Sequence, residues 1–311
     1  NGGGSVVSVI NTATNTTLSP ITVGSSPYSF GNTFVTGSTG CSGNPKTFTI
    51  TVNPTPTVNA VTSQVVCNNS ATTAVNFSSP TTGGTIVYNW TNNTPSIGLA
   101  AAGAGNIPSF TATNAGSAPV TATITATPSY TNAGTTCTGT PITFTITVNP
   151  TATVNPVASQ VVCNNSATAA VNFTSPTTGG TIVYNWTNNT PSIGLAASGS
   201  GNIASFTATN ATNVPVTATI TVTPSYTNGG TTCIGTPMIF TITVNPVPQV
   251  NQPANQVICN NTSFLPTNFT TPTSGGVVMY AWTNNNASIG LGASGTGNIP
   301  AFTGTNATNA P

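Results

Sequence analysis

Val120–Ala126 reads VTATITA, an unbroken alternation of apolar and threonine side chains. Alternation with a period of two is typical of a β-strand with one buried face, because successive side chains point to opposite sides. The same rhythm returns in Ile142–Val148, ITFTITV, and the turn-rich segment between the two predicts a hairpin. Further short strands are predicted at 64–67, 75–77, 86–90 and 107–112. Six or seven short strands and no helical period predict an antiparallel β-sandwich.

The strand pattern repeats along the chain with a period of 96 residues. Cysteines at positions 41, 137 and 233 share this spacing, as do those at 67, 163 and 259 and the tryptophans Trp90, Trp186 and Trp282. Segments 54–149 and 150–245 differ at 16 of 96 positions, so they are predicted to be two complete repeats of one sandwich. Residues 1–53 are interpreted as the C-terminal part of a diverged repeat, and 246–311 as the N-terminal part of a further one. The chain is therefore expected to be a segment of a longer tandem array.

Composition excludes most chemistry. The 311 residues contain no Asp, Glu or His, and Lys46 is the only cation. General acid–base catalysis and activated nucleophiles need such groups, so no enzyme activity and no catalytic residue is predicted. Hard-cation sites need carboxylates and zinc sites need Cys/His clusters, so no metal or cofactor is expected. One lysine does not neutralise a phosphate backbone, and no apolar run reaches about 20 residues, so neither nucleic-acid binding nor membrane insertion is predicted.

The aromatic residues divide into a core set and a surface set. Trp90 ends an alternating stretch with Ile86 and Tyr88, so Trp90, Trp186 and Trp282 are predicted to be the core of their repeats, with a ligand platform as the alternative. Tyr130 and Tyr226 lie outside the clearest alternation, just before a cysteine. They are the candidates for glycan contact if the repeats form a carbohydrate-binding array.

The repeat resembles a known family. The order VVCNN, VNF, YNW, TITATPSY, C-x-G-x-P and FTITVNP is similar to the PKD-like, immunoglobulin-like repeats of giant surface adhesins in Bacteroidota, such as flavobacterial gliding-motility adhesins. The resemblance covers the whole chain. One departure is the segment after the tryptophan, WTNNTPSIG at 90–98, where PKD domains carry an acidic stretch. No role that depends on those acidic residues is carried over.

The resemblance implies an all-β tandem array exported by the type 9 route and displayed outside the outer membrane. The expected role is a structural stalk or filament segment that presents an adhesive region for attachment or gliding. Its expected partners are neighbouring repeats of the same chain, and surface glycans or abiotic surfaces. Besides the carbohydrate-binding array, threonine rows such as Thr121, Thr123 and Thr125 leave an ice-binding surface as an alternative.

The cysteines are expected to form disulfides in an oxidising compartment. In an immunoglobulin-like sandwich the first strand begins at the same end as the loop before the last strand. That geometry favours the intradomain pairs Cys67–Cys137 and Cys163–Cys233, and leaves Cys41 and Cys259 unpaired in this sequence. Two alternatives remain open: pairs across the repeat boundary (Cys41–Cys67, Cys137–Cys163 and Cys233–Cys259), and six buried free thiols.

Overall fold

The computed structural model describes residues 6–7, 10–11, 14, 16–17, 21–22 and 47–311. Its first part holds four two-residue strands: β1 (Val6–Val7), β2 (Ile10–Asn11), β3 (Thr16–Thr17) and β4 (Ile21–Thr22). β1 pairs with β4, and β2 pairs with β3, both antiparallel. Most of the predicted partial repeat at 1–53, including Cys41, lies outside the described residues.

Residues 54–149 contain one six-stranded sheet. Its strands are β5 (Gln64–Cys67), β6 (Thr85–Asn92), β7 (Ala102–Ala104), β8 (Val120–Asn132), β9 (Thr135–Thr138) and β10 (Ile142–Asn149). The order is β5-β10-β8-β6-β7, and β9 pairs with the last residues of β8. All pairs are antiparallel except that β5 runs parallel to β10. A 3-10 turn at Pro95–Ile97 follows β6.

Residues 150–245 reproduce this sheet strand for strand. The strands are β11 (Gln160–Cys163), β12 (Thr181–Asn188), β13 (Ser198–Ser200), β14 (Val216–Asn228), β15 (Thr231–Ile234) and β16 (Met238–Asn245), with a 3-10 turn at Pro191–Ile193. The strand order β11-β16-β14-β12-β13, with β15 on β14, matches that of the preceding repeat.

Residues 246–311 form shorter strands. They are β17 (Ser263–Phe264), β18 (Ala281–Thr283), β19 (Ser294–Thr296) and β20 (Phe302–Thr303), with a 3-10 turn at Ala287–Ile289. β17 pairs with β20 and β18 with β19, both antiparallel.

The alternation of β8 produces the buried face that the sequence predicts. Ala122, Ile124 and Ala126 have no exposed surface, whereas Thr121 on the other face is exposed. The strand is longer than its clearest alternating stretch, and it continues to Asn132. A two-residue turn then leads into β9, with both central residues at positive φ, as type I′ hairpins require. The predicted turn segment thus contains a strand of its own, and β10 returns along the first half of β8.

A thinner second layer covers this buried face. The predicted strands at 75–77 and 107–112 occur as isolated antiparallel bridges, Val75 with Ile107 and Ala71 with Thr111. Val75 and Ile107 exchange backbone hydrogen bonds of 2.8 and 3.0 Å. Both side chains are buried in the cluster between the two layers. The chain is therefore a tandem array of immunoglobulin-like β-sandwiches, as the sequence predicts.

The tryptophan of each repeat packs on a glycine of the neighbouring strand. Trp90 is 6% exposed and pairs with Gly103 of β7, where an added Cβ would lie 2.2 Å from the Trp90 ring atom Cζ2. Gly199 holds the same position beneath Trp186, which is also buried. Trp282 is only partly buried, and it contacts its own glycine in the same way. In the described chain, the indole nitrogens of the three tryptophans are buried without a hydrogen-bond partner.

Candidate functional site at the joint between repeats

The two cysteines of one repeat lie at opposite ends of its sheet. Cys67 is the last residue of β5 and pairs in register with Asn149, the last residue of the parallel strand β10. Cys137 is in β9, opposite Tyr130, close to the start of β10. The eight residues of β10 at about 3.3 Å each separate the two ends by roughly 25 Å.

The predicted intradomain pairing is therefore wrong. The structure bonds Cys67 to Cys233 of the next repeat, with their Cα atoms 5.6 Å apart, and leaves Cys137 and Cys163 as free thiols. The first strand, β5, does run away from the end of the sheet at which Cys137 lies. Cys67 is the last residue of that strand, however, so it lies at the opposite end, beside Asn149.

The two alternatives are wrong for the described cysteines as well. The bond does cross the repeat boundary, but Cys67 pairs with Cys233 rather than Cys41, and Cys233 therefore does not pair with Cys259. Cys259 is an exposed free thiol. Cys41 lies outside the described residues.

The β14–β15 hairpin of the second repeat brings Cys233 to the joint. Its tip lies against β5 of the first repeat, where the Thr231 hydroxyl donates a 3.1 Å hydrogen bond to the Val65 carbonyl. At Gly229 in the turn, an added Cβ would lie 2.9 Å from a methyl group of Val65. Gly229 also has φ of +57°, a conformation that glycine adopts without strain. The hairpin of the second repeat thus packs against the edge strand of the first repeat's sheet and is joined to it by a covalent bond.

An asparagine pair lies beside the disulfide. Asn149 has no exposed surface, and its Oδ1 accepts a 2.9 Å hydrogen bond from Nδ2 of Asn228. In return, Nδ2 of Asn149 donates to the carbonyl oxygens of Asn228 at 3.2 Å and Thr231 at 3.5 Å. Asn132 donates in the same way to Asn53, at 3.0 Å, at the preceding boundary.

A loop contact completes the joint. The Thr178 backbone N–H of the second repeat donates to the Ser117 carbonyl of the first at 2.8 Å. Ser274 and Asn213 repeat this bond at 2.9 Å between the second and third repeats. Beside it, an added Cβ at Gly179 would lie 2.6 Å from Pro119, and Gly275 is placed in the same way against Pro215.

The tyrosines predicted for glycan contact are buried. Tyr130 is 2% exposed and Tyr226 is fully buried, because each ring packs on a glycine of the preceding loop, Gly84 or Gly180. The Tyr226 hydroxyl donates to the Thr178 carbonyl at 3.1 Å, and burial raises the pKa of this phenol. Both tyrosines belong to the inward face of β8 or β14, so the alternation of these strands continues past the stretch that predicts it. Among the described aromatic residues, Phe48 alone is exposed.

The outward faces of the two large sheets carry threonines in register, except that the exposed Ile239 stands opposite Thr221 in the second sheet. Thr143, Thr145 and Thr147 of β10 stand opposite Thr125, Thr123 and Thr121 of β8. The hydroxyl oxygens of Thr121 and Thr147 are 2.9 Å apart, and those of Thr217 and Thr243 repeat this distance in the next domain. The result is a broad, uncharged face of hydroxyl and methyl groups.

The described ranges contain no cluster of side chains that could hold a metal ion. No helix within them has the length and apolar character needed to cross a membrane.

The residues that sequence reasoning misses are Asn149 and Asn228. The only signal for them is that an asparagine recurs before the proline of every VNP junction and in every YTN turn.

No protein-family model and no curated protein matches the sequence. Similar solved structures include mouse cadherin-23 EC22–24 (12% identity, TM-score 0.40, 81% of this chain and 88% of that one). Titin domains I67–I69 give 7% identity and a TM-score of 0.37 over 81% and 89% of the two chains. The three N-terminal domains of the bacteriophage RB49 Hoc protein are 16% identical in sequence, with a TM-score of 0.36. The match covers 62% of this chain and 70% of that one. Because all three scores are low, the fold assignment rests on the strand order and register of the chain itself.

Proposed function

We propose that this chain is a stalk segment of a long, secreted surface adhesin, in which the repeats act as a stiff spacer. The observation that carries the proposal is the joint, where a disulfide and an asparagine pair connect neighbouring sandwiches. A spacer must hold its ends apart, and domains connected only by a flexible linker swing freely.

The linker between the two complete repeats supports a stiff joint. Ala152 is fully buried, and its carbonyl accepts a 2.9 Å hydrogen bond from the Thr236 N–H of the second repeat. Val154 is buried in the second repeat's core. Pro150 follows Asn149 directly, and proline restricts the backbone to extended conformations. The connection is thus packed into the second domain.

The proposed location is outside the cell. A disulfide persists in oxidising compartments and is reduced in the cytosol, which agrees with secretion. The resemblance to the PKD-like repeats of Bacteroidota adhesins adds type 9 export and gliding or attachment to the proposal. The adhesive region itself is assigned to another part of such a protein, because the tyrosines considered for glycan contact are buried.

Small-angle scattering of the oxidised chain tests the spacer role. A compact globule of this length would have a radius of gyration of about 19 Å. We expect a clearly larger radius and a distance distribution with a long tail, unchanged between low and high salt because the chain carries almost no charge. A radius near the globular value would contradict the proposal. Saturable binding of the chain to glycans or cells would contradict the passive role.

A second candidate function uses the threonine face. Hydroxyl and methyl groups in register on adjacent strands, with no charge among them, favour contact with an ordered water surface such as ice. Partition of the chain into growing ice, compared with a Thr123→Lys and Thr219→Lys variant, tests this role. Enrichment of the wild type that the variant loses supports it, and equal exclusion of both from ice would contradict it.

A further inference from the structure

Repeat 150–245 has, at the ends of β11 and β16, the same surface by which the first repeat binds the hairpin of its neighbour. Cys163 occupies the position of Cys67 at the end of its first strand, and it is an exposed free thiol. Val161 corresponds to Val65 but is 69% exposed, since no hairpin covers it. Asn245 corresponds to the fully buried Asn149 and is only partly buried.

The third repeat already docks on the second in the way that the second docks on the first. The Ser274–Asn213 backbone bond and the Gly275–Pro215 contact match Thr178–Ser117 and Gly179–Pro119. The sequence ends at Pro311, which corresponds to Pro215, so it stops before the long strand and hairpin that carry Cys233 in the second repeat. The loop contacts of the joint are thus present, whereas the hairpin that covers β5 in the first joint has no counterpart in residues 246–311.

We propose that Cys163 is a disulfide-forming site whose partner is the hairpin cysteine of a third repeat docked on repeat 150–245. The contact surface is Val161, Cys163 and Asn245, and the partner is a β-sandwich with a cysteine placed as in β15. Cys137 is the complementary half, placed like Cys233, and it takes the first-strand cysteine of a preceding repeat. Every complete repeat then forms two disulfides, one with each neighbour and none within itself.

The bond forms by oxidation of two thiols. The two S–H groups lose two protons and two electrons as the S–S bond forms, and a disulfide oxidant such as oxidised glutathione accepts them and becomes two thiols. The inference concerns the covalent connection of the array and does not depend on what the array presents or attaches to.

The test is a variant chain in which a copy of residues 216–245 follows Pro311 and completes the third repeat. After oxidation with glutathione disulfide, the folded chain is alkylated and mapped by mass spectrometry without reduction. We expect a peptide linking Cys163 to the appended copy of Cys233, and loss of Cys163 alkylation relative to the original chain. The matched control carries serine in place of the appended cysteine, and it should restore alkylation of Cys163.

The Cys67–Cys233 link in the same map reports that the repeats have folded and that oxidation is complete. With that link present, continued alkylation of Cys163 would overturn the proposal. A link from the appended cysteine to Cys259, within one repeat, would overturn it as well. Neither result bears on whether the chain is elongated, so the stalk role is tested separately.

Discussion

Asn149 and Asn228 are 79 positions apart, and their side chains are hydrogen-bonded across a repeat boundary at 2.9 Å. Asn149 ends the last strand of one sandwich, and Asn228 precedes the hairpin turn of the next. Because Asn149 is fully buried, its amide finds partners only on the neighbouring repeat and has no access to water. The buried side chain of Asn149 therefore keeps its hydrogen bonds only while the β14–β15 hairpin of the second repeat is in place.

Asn149→Ala should loosen this joint. The substitution removes the hydrogen bonds between Asn149 and partly buried groups of the hairpin, which costs about 1 kcal/mol of unfolding free energy. Urea unfolding measures the cost, and hydrogen exchange should rise at residues 228–231.

Asn245→Ala is the matched control for that substitution. Asn245 has the same place in its own sheet, and its carbonyl accepts from the Asn164 N–H as that of Asn149 does from Asn68. Its side chain makes no cross-repeat hydrogen bond in the described structure, so the change should be within about 0.5 kcal/mol. Equal effects of the two substitutions would mean that the Asn149–Asn228 pair contributes nothing to stability.

Cys67→Ser should destabilise the chain. The Cys67–Cys233 bond closes a segment with a sequence separation of 166, and in the chain-entropy account such a loop restricts the unfolded state by about 5 kcal/mol. We expect a lower denaturation midpoint, reproduced in the wild type by reduction with dithiothreitol. Cys163→Ser, which removes an exposed free thiol at the same position of the next repeat, should leave the midpoint unchanged. Equal midpoints for oxidised and reduced wild type would argue against the bond.

The sequence predicts the sandwich well and the joint poorly, for a physical reason. Alternation along β8 is a local property, and burial of Ala122, Ile124 and Ala126 follows from it directly. The position of Cys67 depends on the parallel register between β5 and β10, which joins residues about 80 positions apart and has no local signature. The 96-residue period shows that the cysteines are equivalent between repeats, but it does not specify which repeat supplies the partner.

Gly103→Ala should destabilise the first repeat through its core. The new methyl carbon would lie 2.2 Å from Trp90 Cζ2, and the ring cannot retreat into a close-packed interior without moving its neighbours. Overpacking of this kind costs about 1–3 kcal/mol. Urea unfolding and the Trp emission spectrum would report it. Gly276→Ala is the control, because an added Cβ there meets nothing within 4 Å. Unchanged unfolding in Gly103→Ala would mean that Trp90 is loosely packed.

Stability should be flat in acid and fall in alkali. The chain has no carboxylate or imidazole side chain, so the free energy of unfolding should stay constant between about pH 4 and 9. Burial raises the pKa of Tyr88, Tyr184 and Tyr226 above the ordinary value of 10.0, so the folded state holds these phenolic protons more tightly than the unfolded state does. The resulting stabilisation is complete below pH 10 and is lost as the pH rises through the folded pKa values.

Urea unfolding at a series of pH values measures this profile. The variant Tyr88→Phe with Tyr184→Phe should lose stability less steeply above pH 10, because two phenols whose pKa is raised by folding are gone. Its acid limb should match that of the wild type, since neither residue ionises there. A sharp transition in acid would show that proton binding to the backbone or to unrecognised groups controls stability. An alkaline limb identical in the variant and the wild type would show that Tyr88 and Tyr184 do not cause the fall.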